Sequence, residues 1–316
     1  MANDSLHNAK KNKDDEFYTQ LSDIENELKH YKEHFKDKII FCNCDDPKGS
    51  NFWQYFSLNF DNLHLKRLLA THYNRGIDDN IRTSYMIEMF RDNDGIHTNI
   101  VDLIGDGDFR SDECVELLKQ SDIVVTNPPF SLFREYIALL MQYKKKFLIL
   151  GNQNAIKYKE VFPLIKENKV WLGYKNGDMA FRVPQDSPPR ATRFWIDESG
   201  QRWRSLGNIC WFTNLDIAKR HKKLVLYKTY NEDEYEKYDD YDAINIDKTK
   251  DIPYDYDGVM GVPITFIDKY CPTQFEIVGE LNHGCDNKYD FAKPKINGTE
   301  KYPRILIRRI DDKNKI

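Results

Sequence analysis

Apolar residues at Leu21, Ile24, Leu28, Tyr31 and Phe35 recur at helical spacing, which predicts a helix within residues 17–35. Phe52, Tyr55, Phe56 and Phe60 predict a second helix over 51–60. Further helices are expected over 112–119, over 131–143 and around 157–166. Between them lie short, continuous apolar runs bounded by polar or turn residues: 38–41, 123–126, 147–150, 170–172 and 209–212. Such runs read as buried strands. Residues 87–90 suggest another strand, and 64–73 an αβ element. Strands alternating with helices predict an α/β fold with a doubly wound, mostly parallel sheet. Ligands of such sheets bind beyond the carboxyl ends of the strands, near a change in strand order. The loops after Phe41 and after Thr126 are therefore expected on one edge.

The second of these loops carries the most specific chemistry. The run Ser121-Asp122-Ile123-Val124-Val125-Thr126 leads directly into Asn127-Pro128-Pro129-Phe130. Two prolines fix φ and bar both helix and ladder continuation. The residue before a proline is pushed towards extended backbone. A strand thus ends in a rigid turn that carries one carboxamide and one aromatic ring. A Pro-Pro turn capping a strand is the plainer explanation of the same residues. The chemical explanation is a planar substrate with an exocyclic amino group. The side-chain oxygen of Asn127 and the backbone oxygen of Pro128 would accept from the NH2, and Phe130 would stack on the ring.

The loop after Phe41 is less specific. A nucleoside cofactor needs close backbone approach, a carboxylate and an apolar slot. Residues 42–52 contain Asn43, Cys44, Asp45, Asp46 and Phe52, between a strand and a helix. They lack a Gly-rich pattern, and an Asp-Asp-Pro turn accounts for them equally.

Asn-Pro-Pro-Phe is the motif of amino-group DNA methyltransferases. The chain also resembles the EcoRI-type adenine-specific methyltransferases in Asp15-Glu16-Phe17-Tyr18-Thr19-Gln20, Phe41-Cys42-Asn43-Cys44-Asp45-Asp46-Pro47 and Ser50-Asn51-Phe52. It does so again in Trp211-Phe212-Thr213-Asn214-Leu215, in Gly261-Val262-Pro263-Ile264-Thr265-Phe266 and in Gln274-Phe275-Glu276-Ile277-Val278-Gly279. The resemblance covers most of the chain. It implies a Rossmann-like sheet that binds S-adenosylmethionine, with an added insert or C-terminal region for DNA recognition. It implies Asn127, Pro128, Pro129 and Phe130 as the catalytic motif, and adenine rather than cytosine as the target. Phe17, Tyr18 and Thr19 would pack over the methionine part of the cofactor. Asn43, Cys44, Asp45, Asp46 and Phe52 would form its main loop. The segment Gly105-Asp106-Gly107-Asp108-Phe109 would meet its adenine, with Phe109 and either Asp106 or Asp108 in contact. A Gly-Asp turn explains that segment equally well.

Net charge of −4 and pI near 6.1 argue weakly against nucleic-acid binding. The average hides an uneven distribution. Basic residues cluster at 144–146, 220–223 and 304–309, and acid is concentrated in 231–257. Arg190, Arg193, Arg202 and Arg204 lie in a Pro- and Trp-containing insertion of about 176–207. They are the candidate DNA-binding residues, although a solvated face explains any single cluster. The six cysteines include no Cys-x-x-Cys pair, so reduced thiols and no metal site are expected. No apolar run approaches membrane-spanning length and residues 1–15 carry no signal-like segment. A cytoplasmic protein is expected, with residues 1–15 disordered.

The expected organisation is an N-terminal cofactor-lid segment (1–34), a catalytic domain (35–229) and a C-terminal target-recognition region (230–316). The expected partners are double-stranded DNA and a cognate restriction endonuclease, with no membrane. An RNA adenine or protein glutamine methyltransferase is the alternative enzyme. A non-catalytic nucleic-acid-binding relative is the alternative without chemistry.

Overall fold

The computed structural model describes residues 17–44, 46–74, 84–284 and 287–310. Asp45, Cys285 and the segment expected to be disordered lie outside them. The chain divides into two compact units. One is Met1–Gln153 with Lys175–Leu215; the other is Asn154–Tyr174 with Asp216–Ile316.

The first unit is built on a mixed sheet. Its strands are β1 (Tyr18–Thr19), β2 (Ile39–Cys42), β3 (Arg67–His72), β4 (Tyr85–Asp92), β5 (Gly95–Asp102), β6 (Ile123–Thr126), β7 (Lys146–Asn152), β8 (Trp171–Arg182), β9 (Phe194–Ile196) and β10 (Arg202–Thr213). Their order is β1-β8-β10-β7-β6-β2-β3-β4-β5, with β9 on β10. Parallel pairing is confined to the centre, β7-β6-β2-β3. Three of them, β7, β6 and β2, are continuous apolar runs of the sequence, as burial on both faces requires; β3 falls within 64–73, expected as an αβ element. Antiparallel strands extend the sheet outwards, because β3-β4-β5 follow one another in sequence and β10 folds back on β7.

Among the described residues there are six α-helices: α1 (Leu21–Leu28), α2 (Lys32–Phe35), α3 (Asn51–Leu58), α4 (Asp112–Gln120) and α5 (Phe133–Gln142) in the first unit, and α6 (Phe162–Lys166) in the second. The single helix expected over 17–35 is instead a short strand and two helices. Its apolar spacing holds from Leu21 onward, but residues 18–19 pair with β8. Strands β8 and β10 each run twelve residues, far beyond the apolar runs that announce them. Apart from Met179 and Phe181, which are buried, their outer halves are largely half-exposed, and the insertion 176–207 consists of their continuation together with β9.

α3 has a well-defined start. Ser50 caps it, its Oγ accepting from Phe52 N at 3.1 Å, an arrangement that stabilises a helix start by about 1 kcal/mol. Phe52, Tyr55 and Phe56 bury the opposite face.

The second unit holds a four-stranded sheet of β11 (Ile244–Asn245), β12 (Met260–Pro263), β16 (Arg304–Arg309) and β13 (Phe275–Leu281), in that order. A hairpin of β14 (Lys295–Ile296) and β15 (Thr299–Glu300) turns at Asn297-Gly298, both at positive φ, the usual demand of a two-residue hairpin. Tyr238, Ala243, Leu281, Ile296 and Leu306 form a buried cluster there. The acidic stretch 231–257 is ordered, with Tyr235 and Tyr238 buried. Among the described residues no helix is long and apolar enough to cross a membrane.

Candidate active site

β6 ends at Thr126 in the middle of the parallel strands, and Asn127 follows it into the interior. Asn127 is buried, as is Pro128; Pro129 and Phe130 are half-buried. The amide nitrogen of Asn127 donates to the carbonyl oxygen of Phe17 at 2.6 Å. Its Oδ1 is buried and has no partner among the described residues. A carbonyl oxygen can only accept, so this bond fixes the orientation of the amide. The free end is the acceptor. A buried acceptor without a partner costs roughly 1–3 kcal/mol, so it is a standing invitation to an N–H donor.

The ring of Phe17 stacks on Phe130, with centroids 5.5 Å apart and planes 23° apart. Phe181 meets both edge-on. The Arg204 guanidinium lies 5.3 Å from the Phe17 ring centroid. The N-terminal segment and the Asn-Pro-Pro-Phe turn, more than a hundred residues apart in sequence, are thus one structure.

A second group forms beside it. β2 pairs in parallel with β6, so Asn43, just past β2, lies on the same sheet edge as Asn127. Asn43 is buried; its Oδ1 accepts from the Tyr136 hydroxyl, and its Nδ2 has no partner among the described residues. Tyr136, on α5, is fully buried, and burial pushes its phenol well above the ordinary value. Phe109 packs edge-on to Tyr136 at 5.0 Å. Tyr136 therefore joins the loop after β2 to the Gly105–Phe109 loop. Gly107 has φ +79°, and a Cβ there would fall 2.2 Å from the carbonyl oxygen of His72, so this loop needs a glycine to lie against β3. Thr19 and Thr126 add two buried hydroxyls without partners among the described residues.

Other expected site residues take different places. Asp46 accepts from the Tyr85 hydroxyl at 2.7 Å and lies 3.6 Å from His72. Phe52 is fully buried, edge-on to Trp211. Cys44 is half-buried, its thiol 3.7 Å from Asn43 Oδ1. Tyr18 is half-buried, with Arg182 over its ring. Asp106 is exposed and accepts from Asp108 N. Asp108 is held by Arg110 through Nε and Nη2 at 2.8 and 2.7 Å, which keeps its carboxyl below the ordinary value. Arg193 pairs with Asp178, Arg202 donates to Ser187 O, and Arg190 is exposed.

The model of the family described as adenine-specific methyltransferase EcoRI matches residues 5–310. The chain belongs to this family. Its relatives include the Type II methyltransferase M.EcoRI of Escherichia coli, 53% identical over 97% of this chain and 96% of that protein. M.MgeORF184P of Mycoplasma genitalium is 41% identical over 96% of this chain and 98% of its own length. M.MpnI of Mycoplasma pneumoniae is 41% identical over 86% and 84%. No solved structure matches the chain. The methyltransferase acts on adenine in DNA, as its family does, which removes the RNA, protein and non-catalytic alternatives. Sequence reasoning did not single out Tyr136 or Asn51, whose side chains donate to two expected site residues, Asn43 and Thr19. Tyr136 has the spacing of an ordinary core position of α5. Asn51 looks like part of a helix start, and only the fold places its amide on the N-terminal segment.

Among the described residues no group of His, Cys, Asp and Glu is arranged to hold a metal, and the five described cysteines are free thiols.

Proposed function

We propose that the methyltransferase transfers a methyl group from S-adenosylmethionine to N6 of an adenine flipped out of double-stranded DNA, with Asn127 as the acceptor that activates the nitrogen. The reading rests on the half-used amide of Asn127: nitrogen end tied to Phe17, oxygen end buried and unpartnered. The N6 lone pair of adenine is delocalised into the ring. Accepting an N6 hydrogen at Asn127 Oδ1, and the other at Pro128 O, favours a pyramidal, more nucleophilic nitrogen. This is preorganised electrostatics, effective because the amide does not reorient during the reaction. Phe130 offers the target base a ring to stack on, as extrusion from the duplex requires.

The residues fit the cofactor. Asn43 Nδ2 and Thr19 Oγ1 are buried polar groups in need of partners, and Phe109 supplies an apolar wall nearby. Asn43, Thr19 and Phe109, with Phe17, Tyr18, Cys44, Asp45, Asp46, Phe52 and one of Asp106 or Asp108, would hold S-adenosylmethionine in a doubly wound methyltransferase sheet. When bound it supplies an electrophilic methyl group on a sulfonium. Asp108 is occupied by Arg110, so Asp106 is the freer of the two carboxylates. Arg204, above Phe17, is the arginine best placed to meet DNA near the reacting base. Arg190, Arg193 and Arg202 would contribute from the strand extensions, and residues 230–316 would complete target recognition. We place the enzyme in the cytoplasm, paired with a restriction endonuclease of the same specificity.

The test is methyl transfer from labelled S-adenosylmethionine to unmethylated bacterial DNA, with nucleosides identified by mass spectrometry and modified positions mapped. N6-methyladenine that falls about 100-fold or more in Asn127→Ala supports the mechanism. Near-normal activity in that variant would sink it.

A further inference from the structure

We infer that Asn51 is a positioning residue for methyl transfer: it anchors the backbone strap Phe17–Thr19, and the strap's Phe17 carbonyl decides which end of the Asn127 amide faces the substrate. The inference rests on the role proposed for Asn127.

A carboxamide has two nearly isosteric orientations, related by a half-turn. One would present Oδ1 to the amino group of adenine; the other would present NH2 to NH2, donor against donor. Something must choose between them. The Phe17 carbonyl does so, because the flipped amide would set two oxygens against each other at the 2.6 Å now spanned by a hydrogen bond.

The strap that carries this carbonyl is weakly held by its own ladder. β1 is two residues long, with the register Tyr18↔Arg182 and Thr19↔Phe181. It needs other ties. The Asn51 side-chain amide donates to Thr19 O at 2.6 Å. On the far side Gln20 Nε2 donates to Ala180 O at 2.9 Å. The Phe17 ring is wedged between Phe130 and Phe181. Asn51 is the first residue of α3, yet the capping of that helix belongs to Ser50. The Asn51 side chain is therefore not consumed by the helix it begins. It links the loop after β2 to the aim of Asn127. The β8 ladder and Gln20 keep the strap attached when Asn51 is removed, so the expected result is a loosened strap on a folded protein.

The test uses the full-length enzyme and DNA carrying its mapped site. Single-turnover methyl transfer is measured with both substrates saturating for wild type, Asn51→Ala and Asn51→Asp. Affinities for DNA and S-adenosylmethionine are measured separately. Fluorescence of 2-aminopurine in place of the target adenine reports extrusion of the base. We expect the rate constant to fall roughly 10- to 100-fold in Asn51→Ala, the range for a misplaced catalytic group. It falls further in Asn51→Asp, whose carboxylate opposes the Thr19 carbonyl. DNA affinity stays within about twofold and the fluorescence rise persists, because the lost function is orientation; S-adenosylmethionine affinity weakens only as far as Thr19 contacts the cofactor, and saturation keeps that loss out of the rate constant. A rate within threefold of wild type overturns the inference. So does a rate constant that returns to the wild-type value when S-adenosylmethionine is raised further, or a lost fluorescence rise. Should both variants fail to fold, Gln20→Ala loosens the strap from its other side, and an unchanged rate there overturns the inference equally. Asn127→Ala, run in parallel, separates the two failures. Activity retained in Asn127→Ala removes the mechanism itself; an inactive Asn127→Ala beside a fully active Asn51→Ala removes only the role of Asn51.

Discussion

Asn127 and Asn245 are both buried, at 6% and 7% exposure, and they are used in opposite ways. Asn245, on β11, spends both ends of its amide. Its Oδ1 accepts from the Tyr238 hydroxyl at 2.7 Å and from Arg304 Nε at 3.1 Å, and its Nδ2 donates to Asp247 at 3.0 Å. Arg304 reaches the same carboxylate at 3.1 Å. The network is closed, and burial holds the Tyr238 phenol well above its ordinary value. Asn127 spends only its nitrogen. A buried amide satisfied at both ends reads as architecture. One left open at the end where a substrate would sit reads as chemistry. The neighbouring segments follow the same division: Thr19, Asn43 and Thr126 each keep a buried polar atom without a partner among the described residues.

The comparison can be broken in graded steps. Asn127→Ala has the largest expected effect, a loss of about 100- to 1000-fold in methyl-transfer rate. Its stability should change by only about 1 kcal/mol, since one hydrogen bond is lost. Asn245→Ala should do the reverse. It strands the Arg304 Nε and leaves the Tyr238 hydroxyl only the Gly261 carbonyl oxygen at 3.4 Å, and is expected to lower unfolding free energy by about 2–3 kcal/mol in urea titrations. If Asn127→Ala proves the less stable variant, the division between open and closed amides fails.

Glu280, on β13, sharpens the same point with a titratable group. It is 1% exposed and accepts from Asn287 at 2.7 Å, and burial pushes its carboxyl up to about 7 from an ordinary 4.5. Between those values the folded protein keeps a proton that the unfolded chain has released. Stability should therefore fall as pH rises through this window, and Glu280→Gln should flatten the fall. Urea midpoints at pH 5 and pH 8 for both proteins provide the check; equal slopes would remove the effect. The smallest change is Tyr136→Phe. Loss of its hydroxyl frees Asn43 to turn, and S-adenosylmethionine affinity should weaken roughly fivefold, equivalent to about 1 kcal/mol, measured by calorimetry.

Much of the first unit was legible because its signals are local. The apolar runs at 123–126 and 147–150 became β6 and β7, and the aromatic face of 51–60 became α3. The Asn-Pro-Pro-Phe turn lies at the end of a central strand because prolines end strands wherever they occur. What stayed hidden depends on distant partners. Tyr18 and Thr19 continue a helical pattern in sequence and become a strand only because β8 offers them a ladder. The outer halves of β8 and β10 carry Arg, Asp and Gly, and read as loop when their partners are unknown. Asp46, expected as a ligand for a ribose or an amine, also accepts from the Tyr85 hydroxyl, a partner 39 residues away that nothing in the sequence announces. The hydrogen bond that orients Asn127 joins a side chain to a backbone oxygen, and a backbone oxygen has no signature in any sequence.

That bond also sets an order of events during synthesis. It closes a separation of 110 residues, and the strap that carries it waits for Arg182 as a ladder partner. Contacts of such long range form late, after local helices and neighbouring strands are in place. A nascent chain that has just delivered Asn-Pro-Pro-Phe from the ribosome contains the residues of β2 and β6 but not Arg182, so the ladder partner of the strap has not yet been made. On the role proposed for Asn127, catalytic competence would arrive only after β8 is made and residues 17–19 meet it, so a chain arrested before β8 would keep the motif and lack the aimed amide.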